Sequence, residues 1–222
     1  MGLASVEDRL HRAEHRVRQY LAHYGAELPP ASIIVDPGLE EGSLATHRYP
    51  ATVVVREASV PESIIAHELV HVAQGTLEQF RGFRLLYVLL AEGLAEWVTK
   101  VLYTEHDIKY RAGYRLMELL VAADEKCVRD VLRLHDLNLT PEDVDAILVH
   151  PRLPQYSRSV LTRVSDRIRE SVRTAIEAGI TDPTFVTLGE EVRAWKFLLS
   201  VRFESLSAEV DEVLREWFSA AV

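Results

Sequence analysis

The chain contains little cysteine, and its glycines and prolines follow no regular pattern. Cys127 is the single cysteine among 222 residues, so neither an internal disulfide nor a cluster of thiolate ligands can form. This usage fits a reducing compartment, and we expect Cys127 to be a helical core residue rather than a nucleophile. The 10 glycines and 9 prolines form neither a repeat nor a low-complexity tract. Solenoid and linker-like architectures are therefore excluded.

A surplus of basic residues is missing as well. The 25 Lys and Arg are outnumbered by 34 Asp and Glu, which gives a formal net charge of -9. Nucleic-acid backbones and anionic lipid surfaces attract basic stripes, and an acidic chain with scattered cations offers none. We therefore expect neither a nucleic-acid partner nor an anionic membrane as partner.

Long apolar runs are also missing. The longest candidate, Leu85 to Ala91, is bounded by Arg84 and Glu92 and is much shorter than the roughly 20 residues that span a bilayer. The N-terminal segment MGLASVEDRLHR has no apolar stretch after a basic start, so it lacks the pattern of a secretory signal. These observations predict a cytoplasmic protein without a membrane partner.

The residues that are present favour a folded globular chain. Hydrophobic residues make up 48% of the sequence and charged residues 27%, which are ordinary values for such proteins. Helical spacing of apolar residues predicts an amphipathic helix from Val6 to Tyr24, ending near Gly25. Two β-branched runs, Ser32 to Val35 and Ala51 to Arg56, predict strands that pair in a small sheet.

Helices account for most of the remaining chain. The segment Ser59-Val-Pro-Glu62 has the pattern of a capping box and predicts a helix that runs to Gln74 and ends at Gly75. A second helix is predicted from about Phe83 to Tyr103. Capping patterns and prolines indicate the later starts and breaks: Thr140-Pro-Glu-Asp143, Pro151, Pro154, Asp182-Pro183, Thr187-Leu-Gly-Glu190 and Ser207.

The predicted fold class is α+β and predominantly helical. A small sheet packs on a motif-bearing helix, a second helix carries a glutamate, and the C-terminal half is helical. We interpret residues 1–222 as a single domain, with a core over about 1–123 and a helical extension over about 124–222. The soft boundary between them could lie as late as His150 to Pro154.

The helix that ends at Gly75 carries the pattern His-Glu-x-x-His at His67-Glu68-Leu69-Val70-His71. Residues four apart on a helix differ by about 40° around its axis, so both imidazoles project from one face and can chelate one cation. Glu68 lies about 100° further round, close enough to contact water on that cation. That position suits a general base.

The surroundings of the motif favour a metal over an ordinary polar pair. Ile64, Ile65, Leu69 and Val72 make the helix largely apolar, and burying unpaired polar groups is costly. A catalytic zinc ion takes three protein ligands and keeps one position for water, so a third ligand is expected downstream. The segment Ala91-Glu92-Gly93-Leu94-Ala95-Glu96-Trp97 supplies two candidates.

Over about Ala51 to Trp97 the sequence resembles the gluzincins, the thermolysin-like and aminopeptidase-like zinc metallopeptidases. The resemblance implies zinc as cofactor, His67, His71 and Glu92 as its ligands, and a strand in this segment whose edge pairs with an extended peptide substrate. Twenty residues separate His71 from Glu92, slightly more than in relatives. Because of the longer gap, the loop Gly75 to Gly82 departs from the pattern of the relatives, and Glu96 stays open as an alternative to Glu92 as the ligand.

The resemblance assigns further roles. Glu96, one turn after Glu92, is expected to accept the outer N–H of a coordinating histidine. Gly93 is expected to let the ligand helix approach the motif helix closely. The implied reaction is hydrolysis of a peptide or protein substrate, in which Glu68 takes a proton from zinc-polarised water and delivers it to the leaving amine.

Some residues stay open at this stage. A hydroxyl or imidazole donor is needed for the oxyanion. Tyr103 lies roughly 16 Å from Glu92 along a straight helix, which is too far for this role. The remaining candidates are Tyr110, Tyr114 and Tyr156. The roles of four histidines are equally open: His47, His106, His135 and His150. Nothing places His135 near the site, whereas His106 follows the ligand helix and could fold back towards it.

Two other interpretations of the chain remain. The protein could be a latent or non-catalytic zinc-binding protein whose C-terminal helices cover the cleft. It could also be a helical interaction domain in which the His-Glu-x-x-His pattern is accidental.

Overall fold

The computed structural model describes residues 5–75, 85–178, 183–201 and 206–220. Within these ranges the chain forms three short strands and nine α-helices, which confirms the predicted α+β, predominantly helical class. In chain order the elements are α1 Val6–Ala22, β1 Ser32–Val35, β2 Ala45–Arg48, β3 Thr52–Val55, α2 Glu62–Gln74, α3 Leu85–Leu102, α4 Arg111–Ala123, α5 Cys127–Leu132, α6 Pro141–Leu148, α7 Gln155–Ala178, α8 Pro183–Ser200 and α9 Ser207–Ala220.

The sheet has the strand order β1-β3-β2, with β3 at its centre. β3 runs parallel to β1 and antiparallel to β2, so Thr52 lies opposite both Ser32 and Arg48. Three consecutive β-branched residues, Val53 to Val55, are fully buried, which explains why this run forms the central strand. β1 and β3 were predicted from the sequence and are confirmed.

The motif helix α2 begins without the predicted capping box. Its N-cap is Pro61, no side chain caps it, and Ser59 lies outside the helix, so the capping prediction was wrong. The first turn is stabilised differently: Glu62 is the first helical residue, where a carboxylate interacts favourably with the helix dipole. Arg12 and Tyr103 both donate to this carboxylate, at 2.8 and 2.9 Å.

Among the other predicted helix starts and ends are two that are confirmed and one that was wrong. Gly75 adopts a left-handed conformation at the C-cap of α2, with φ 63°, and Thr140 forms the predicted capping box with Asp143. The predicted start at Thr187 to Glu190 was wrong, because this segment lies inside α8. α8 already begins at Pro183, a residue whose fixed φ suits the first turn of a helix.

α2 lies at the centre of the molecule, between α1, α3 and the strands β2 and β3. α3 in turn packs against α2, α4, α5 and α8. Buried residues from Val6 to Phe218 belong to one hydrophobic cluster. The site therefore lies between elements whose positions are fixed by the main core.

α3 and α4 cross at two glycines. A Cβ built on Gly93 would lie 2.3 Å from the carbonyl oxygen of Gly113, and one on Gly113 would lie 2.7 Å from the carbonyl oxygen of Leu89. The close approach that Gly93 permits is therefore to α4. The expectation that Gly93 allows the motif helix to approach is corrected accordingly.

Cys127, at the start of α5, is buried as predicted. Burial and the carboxylates around it raise the pKa of its thiol to about 12. In the described part of the chain, no helix combines the length and apolar character needed to cross a membrane.

Candidate metal centre

Helices α2 and α3 bring three ligand atoms into a near-equilateral triangle. The Nε2 atoms of His67 and His71 lie 3.2 Å apart, and Oε2 of Glu92 lies 3.2 Å from the first and 3.3 Å from the second. The two rings meet edge to face, with centroids 4.9 Å apart. The structure thus brings together the three residues that the sequence predicted as ligands.

The size of this triangle fits zinc. Ligand atoms about 2.0 to 2.1 Å from a tetrahedral ion lie about 3.3 to 3.4 Å from one another. Two imidazole nitrogens and one carboxylate oxygen also form a ligand set that catalytic zinc sites use. His67 and His71 are only 8% and 5% exposed, so most of the surface of both ligand side chains is shielded from solvent.

The charges of the three residues favour a cation at their centre. Burial acts to raise the pKa of Glu92, but the imidazoles of His71 and His67 outweigh it and hold this pKa far below its usual range. Burial acts to lower the pKa of His71, but the Glu92 carboxylate outweighs it and raises the pKa to about 9. The triangle therefore stabilises positive charge, which a divalent ion supplies.

Gln74 orients His71 within the triangle. The Gln74 amide nitrogen donates to the backbone carbonyl of Ala91 at 3.0 Å, so its oxygen must face His71, where it lies 2.8 Å from Nδ1. Nδ1 of His71 therefore carries a proton and donates it, so Nε2 is the nitrogen that faces the triangle and would give up its proton to bind an ion. Sequence reasoning missed Gln74, although a polar residue one turn after His71 on an apolar helix was a signal for it.

Glu68 lies beside the triangle rather than in it. Its Oε2 atom is 3.4 Å from Nδ1 of His47, a residue of β2 that also stacks on His71. Burial acts to raise the pKa of Glu68, but the bond to His47 and the charges of His67 and His71 lower it. The carboxylate is thus ionised and able to accept a proton, as a general base requires.

Glu96 has a different partner from the one expected. It is 1% exposed, its Oε2 atom accepts a hydrogen bond from Nε2 of His106 at 2.8 Å, and its Oε1 atom accepts from the amides of Lys109 and Tyr110. An oxygen of Glu96, a nitrogen of His106 and a nitrogen of His67 lie within 4.8 Å of one another. Because 2.8 Å is a hydrogen-bond distance, we interpret this group as a support for the chain after α3 rather than as a second ion site.

The chain after α3 brings two of the open residues to the site. The Tyr110 ring stacks on His67, with centroids 6.5 Å apart and planes at 21°, and the His106 ring lies 6.3 Å from His67. Of the three tyrosines left open, Tyr110 lines the cleft. Tyr114 bonds to Glu118, and Tyr156 lines a separate small cavity.

Other candidates lie elsewhere. The Tyr103 hydroxyl donates to Glu62 at the start of α2, in agreement with its exclusion as an oxyanion donor. His135 is paired with Asp136 at 3.0 Å, and Nδ1 of His150 accepts a hydrogen bond from a nearby backbone amide. Of the four open histidines, His47 and His106 line the cleft.

The triangle opens into a cleft of about 560 Å³. One wall is the segment 42–47, which includes part of β2, and another is the start of α3 with Trp217 of α9. The strand predicted to pair with substrate was β3, and this prediction is corrected. Both edges of β3 are already paired, and the strand beside the cleft is β2. The loop questioned in the sequence, after Gly75, lies in residues 76–84, outside the described part of the chain.

Comparison of the chain with protein-family models, curated proteins and solved structures finds no match. The resemblance to the gluzincins therefore stays a prediction. The features that bear on function are the triangle, the carboxylate beside it and the cleft into which both open.

Proposed function

We propose that the protein is a zinc-dependent peptidase, a hydrolase whose ion is held by His67, His71 and Glu92. The observation that supports this most strongly is the 3.2 to 3.3 Å triangle of ligand atoms with the Glu68 carboxylate beside it. A zinc ion in this position supplies Lewis acidity towards water and towards a carbonyl oxygen.

In this proposal Glu68 moves the proton. Its carboxylate accepts a proton from water as the water oxygen bonds to the carbonyl carbon of the scissile peptide. Glu68 then gives that proton to the amide nitrogen as the carbon–nitrogen bond breaks, which leaves a carboxylic acid and an amine. The acid passes its remaining proton to the amine or to solvent and becomes a carboxylate. We assign Tyr110 as the donor to the oxyanion, because it lines the cleft and stacks on His67.

The substrate we propose is an extended segment of a peptide or protein. β2 is an edge strand of the described three-stranded sheet, and its residues Ala45 to His47 line the cleft. The backbone groups of such an edge bind an extended chain by strand addition. With a net charge of -9 and no basic stripe, we propose no nucleic-acid or membrane partner, and we place the protein in the cytoplasm.

The test of this function measures zinc binding and peptide cleavage separately. Glu68→Gln removes the proton acceptor and leaves all three ligands, so zinc content should be unchanged while peptide cleavage falls at least about 100-fold. Cleavage is measured with a mixed library of internally quenched peptides, with zinc-loaded wild type as the reference. Full cleavage by the Glu68→Gln variant would rule out the assigned base.

A second candidate is a latent or non-catalytic zinc-binding protein. Trp217, on the last helix, lines the cleft, so the C-terminal half contributes to its walls. If α9 limits access, Trp217→Ala should raise cleavage of the peptide library without changing zinc content. No cleavage by wild type or by this variant, with zinc bound, would favour a binding or structural role.

A further inference from the structure

We propose that His47 is a positioning residue that holds the general base, Glu68, in its working orientation and connects it to the strand beside the cleft. This inference rests on the proposed peptidase function. The sequence alone gave His47 no role, because it lies 20 residues before the motif in a segment without a predicted element.

Two contacts fix the His47 ring over the site. Its Nδ1 atom lies 3.4 Å from Oε2 of Glu68, and its ring stacks on that of His71, with centroids 5.1 Å apart and planes at 27°. The side chains of His47 and Glu68 are only 13% and 12% exposed, so solvent screens their contact weakly. Of the two ring nitrogens, Nδ1 is therefore the one that acts on the carboxylate.

The position of His47 in the sheet gives this contact a function. β2 pairs antiparallel with β3, and His47 lies opposite Val53, which is fully buried. The ring is thus attached to a strand that is paired with the buried centre of the sheet, whereas a glutamate side chain alone rotates about three bonds. A base must stay within hydrogen-bond reach of the proton it accepts, and a displacement of about 1 Å can cost about 100-fold in rate.

Three variants of His47 test which nitrogen acts. Because the amide nitrogen of asparagine stands as many bonds from Cα as Nδ1 of histidine, His47→Asn keeps a donor facing Glu68. His47→Gln places its amide nitrogen near the position of Nε2 instead, and His47→Ala removes both. The matched control is Arg48→Ala, on the same strand, because Arg48 is exposed and contacts Asp36 at 3.5 Å.

Turnover of the best-cleaved peptide of the quenched library is measured in zinc-loaded protein. His47→Ala and His47→Gln should lower kcat about 10- to 100-fold and leave KM within about twofold. His47→Asn should restore kcat to within about threefold of wild type, and Arg48→Ala should change neither constant. Equal activity of the Asn, Gln and Ala variants overturns the proposal.

Zinc affinity, measured by competition with a chelator, excludes an effect through the ligands. It should stay within about threefold of wild type in all three variants, since His47 is outside the triangle. If affinity falls as far as kcat does, His47 acts through its stacking on His71, and the proposal is overturned.

A double-mutant cycle separates this inference from the proposed function, because it needs no activity. For zinc-loaded protein we measure how far His47→Ala shifts the urea midpoint, first in wild type and then in the Glu68→Ala variant. In the Glu68→Ala variant this shift should be at most about half as large, because the carboxylate that His47 contacts has been removed. Equal shifts overturn the proposal even if peptides are cleaved. A shrunken shift without any cleavage by wild type retains the contact and removes the peptidase.

Discussion

At the scale of single residues, the site is determined by which atom carries each proton. His71 can present Nε2 to a cation only if Nδ1 keeps its proton, and the Gln74 oxygen at 2.8 Å ensures this. The amide of Gln74 cannot turn round, because its nitrogen donates to Ala91, next to the ligand Glu92. One side chain thus sets the tautomer of a ligand and links the two ligand helices.

This link predicts the effect of replacing Gln74. Gln74→Met keeps the length of the side chain but removes both hydrogen bonds, so zinc affinity should fall about 10- to 100-fold. The measurement is a zinc titration against a chelator of known affinity. Gln19→Met, the same change on the exposed face of α1, should leave the affinity unaltered. An unchanged affinity in Gln74→Met would show that the tautomer is fixed by other means.

Helical spacing predicted the two histidines of the triangle and Glu68, whereas Glu92 was predicted from the resemblance to the gluzincins. His67, Glu68 and His71 share one helix, so their relative positions follow from its geometry. His47 and His106 were left open because their approach to the site depends on a strand and a turn that bring distant segments together. Glu96 was predicted near the ligands, but its bond to His106 depends on the path of the chain after α3.

At the scale of elements, the position of the ligand helix depends on its crossing with α4. The two glycines at this crossing bring the backbones so close that a Cβ on Gly93 would lie 2.3 Å from a carbonyl oxygen of Gly113. A backbone atom cannot give way as a flexible side chain does. The crossing also fixes the chain between the helices, which carries His106 and Tyr110 to the cleft.

Replacing Gly93 should therefore be costly despite the better helix propensity of alanine. Gly93→Ala is expected to lower the free energy of unfolding by about 1 to 3 kcal/mol, because the helices must move apart. Urea denaturation measures the change. Gly189→Ala in α8 is the matched control. Its Cβ would meet the flexible end of the Arg193 side chain at 3.3 Å and Leu139 at 3.8 Å, which is ordinary van der Waals contact, so it should be neutral or stabilising by up to about 1 kcal/mol. Equal effects would contradict the crossing geometry.

The elements themselves were largely predictable, with two exceptions that have physical causes. β2 was missed because Ala45-Thr-His-Arg48 has no apolar alternation, and the strand forms through its pairing with β3. The start of α8 was placed too late because Thr187 to Glu190 carries a capping pattern inside the helix, whereas Pro183 begins it. Local signals fail where tertiary pairing or an earlier start competes with them.

At the scale of the whole molecule, the C-terminal half holds the start of the ligand helix. Glu191 of α8 is buried and accepts hydrogen bonds from the amides of Leu86 and Tyr87, at 3.1 to 3.3 Å. Trp217 of α9 donates to the carbonyl of Leu85 at 2.8 Å. A carboxylate at these N-terminal amides stabilises α3 in the manner of a cap. No sequence pattern predicts a cap from more than 100 residues away.

Loss of this cap should weaken the fold. Glu191→Ala leaves two buried amides without their acceptor, so the free energy of unfolding should fall by about 1 to 3 kcal/mol. Glu212→Ala removes an exposed carboxylate that pairs with Arg115, and should change it by less than about 0.5 kcal/mol. Both are measured by urea denaturation at one zinc concentration. Equal stabilities of the two variants would show that α3 does not depend on Glu191.

The proposed function requires that two helices bring His67, His71 and Glu92 around one zinc ion. The most direct measurement is elemental analysis of protein that has been equilibrated with zinc and then dialysed. We expect one tightly bound zinc ion per chain, lost in His71→Ala and in Glu92→Ala and retained in Glu68→Gln. Wild-type protein without zinc, or ligand variants that keep the full amount, would contradict it.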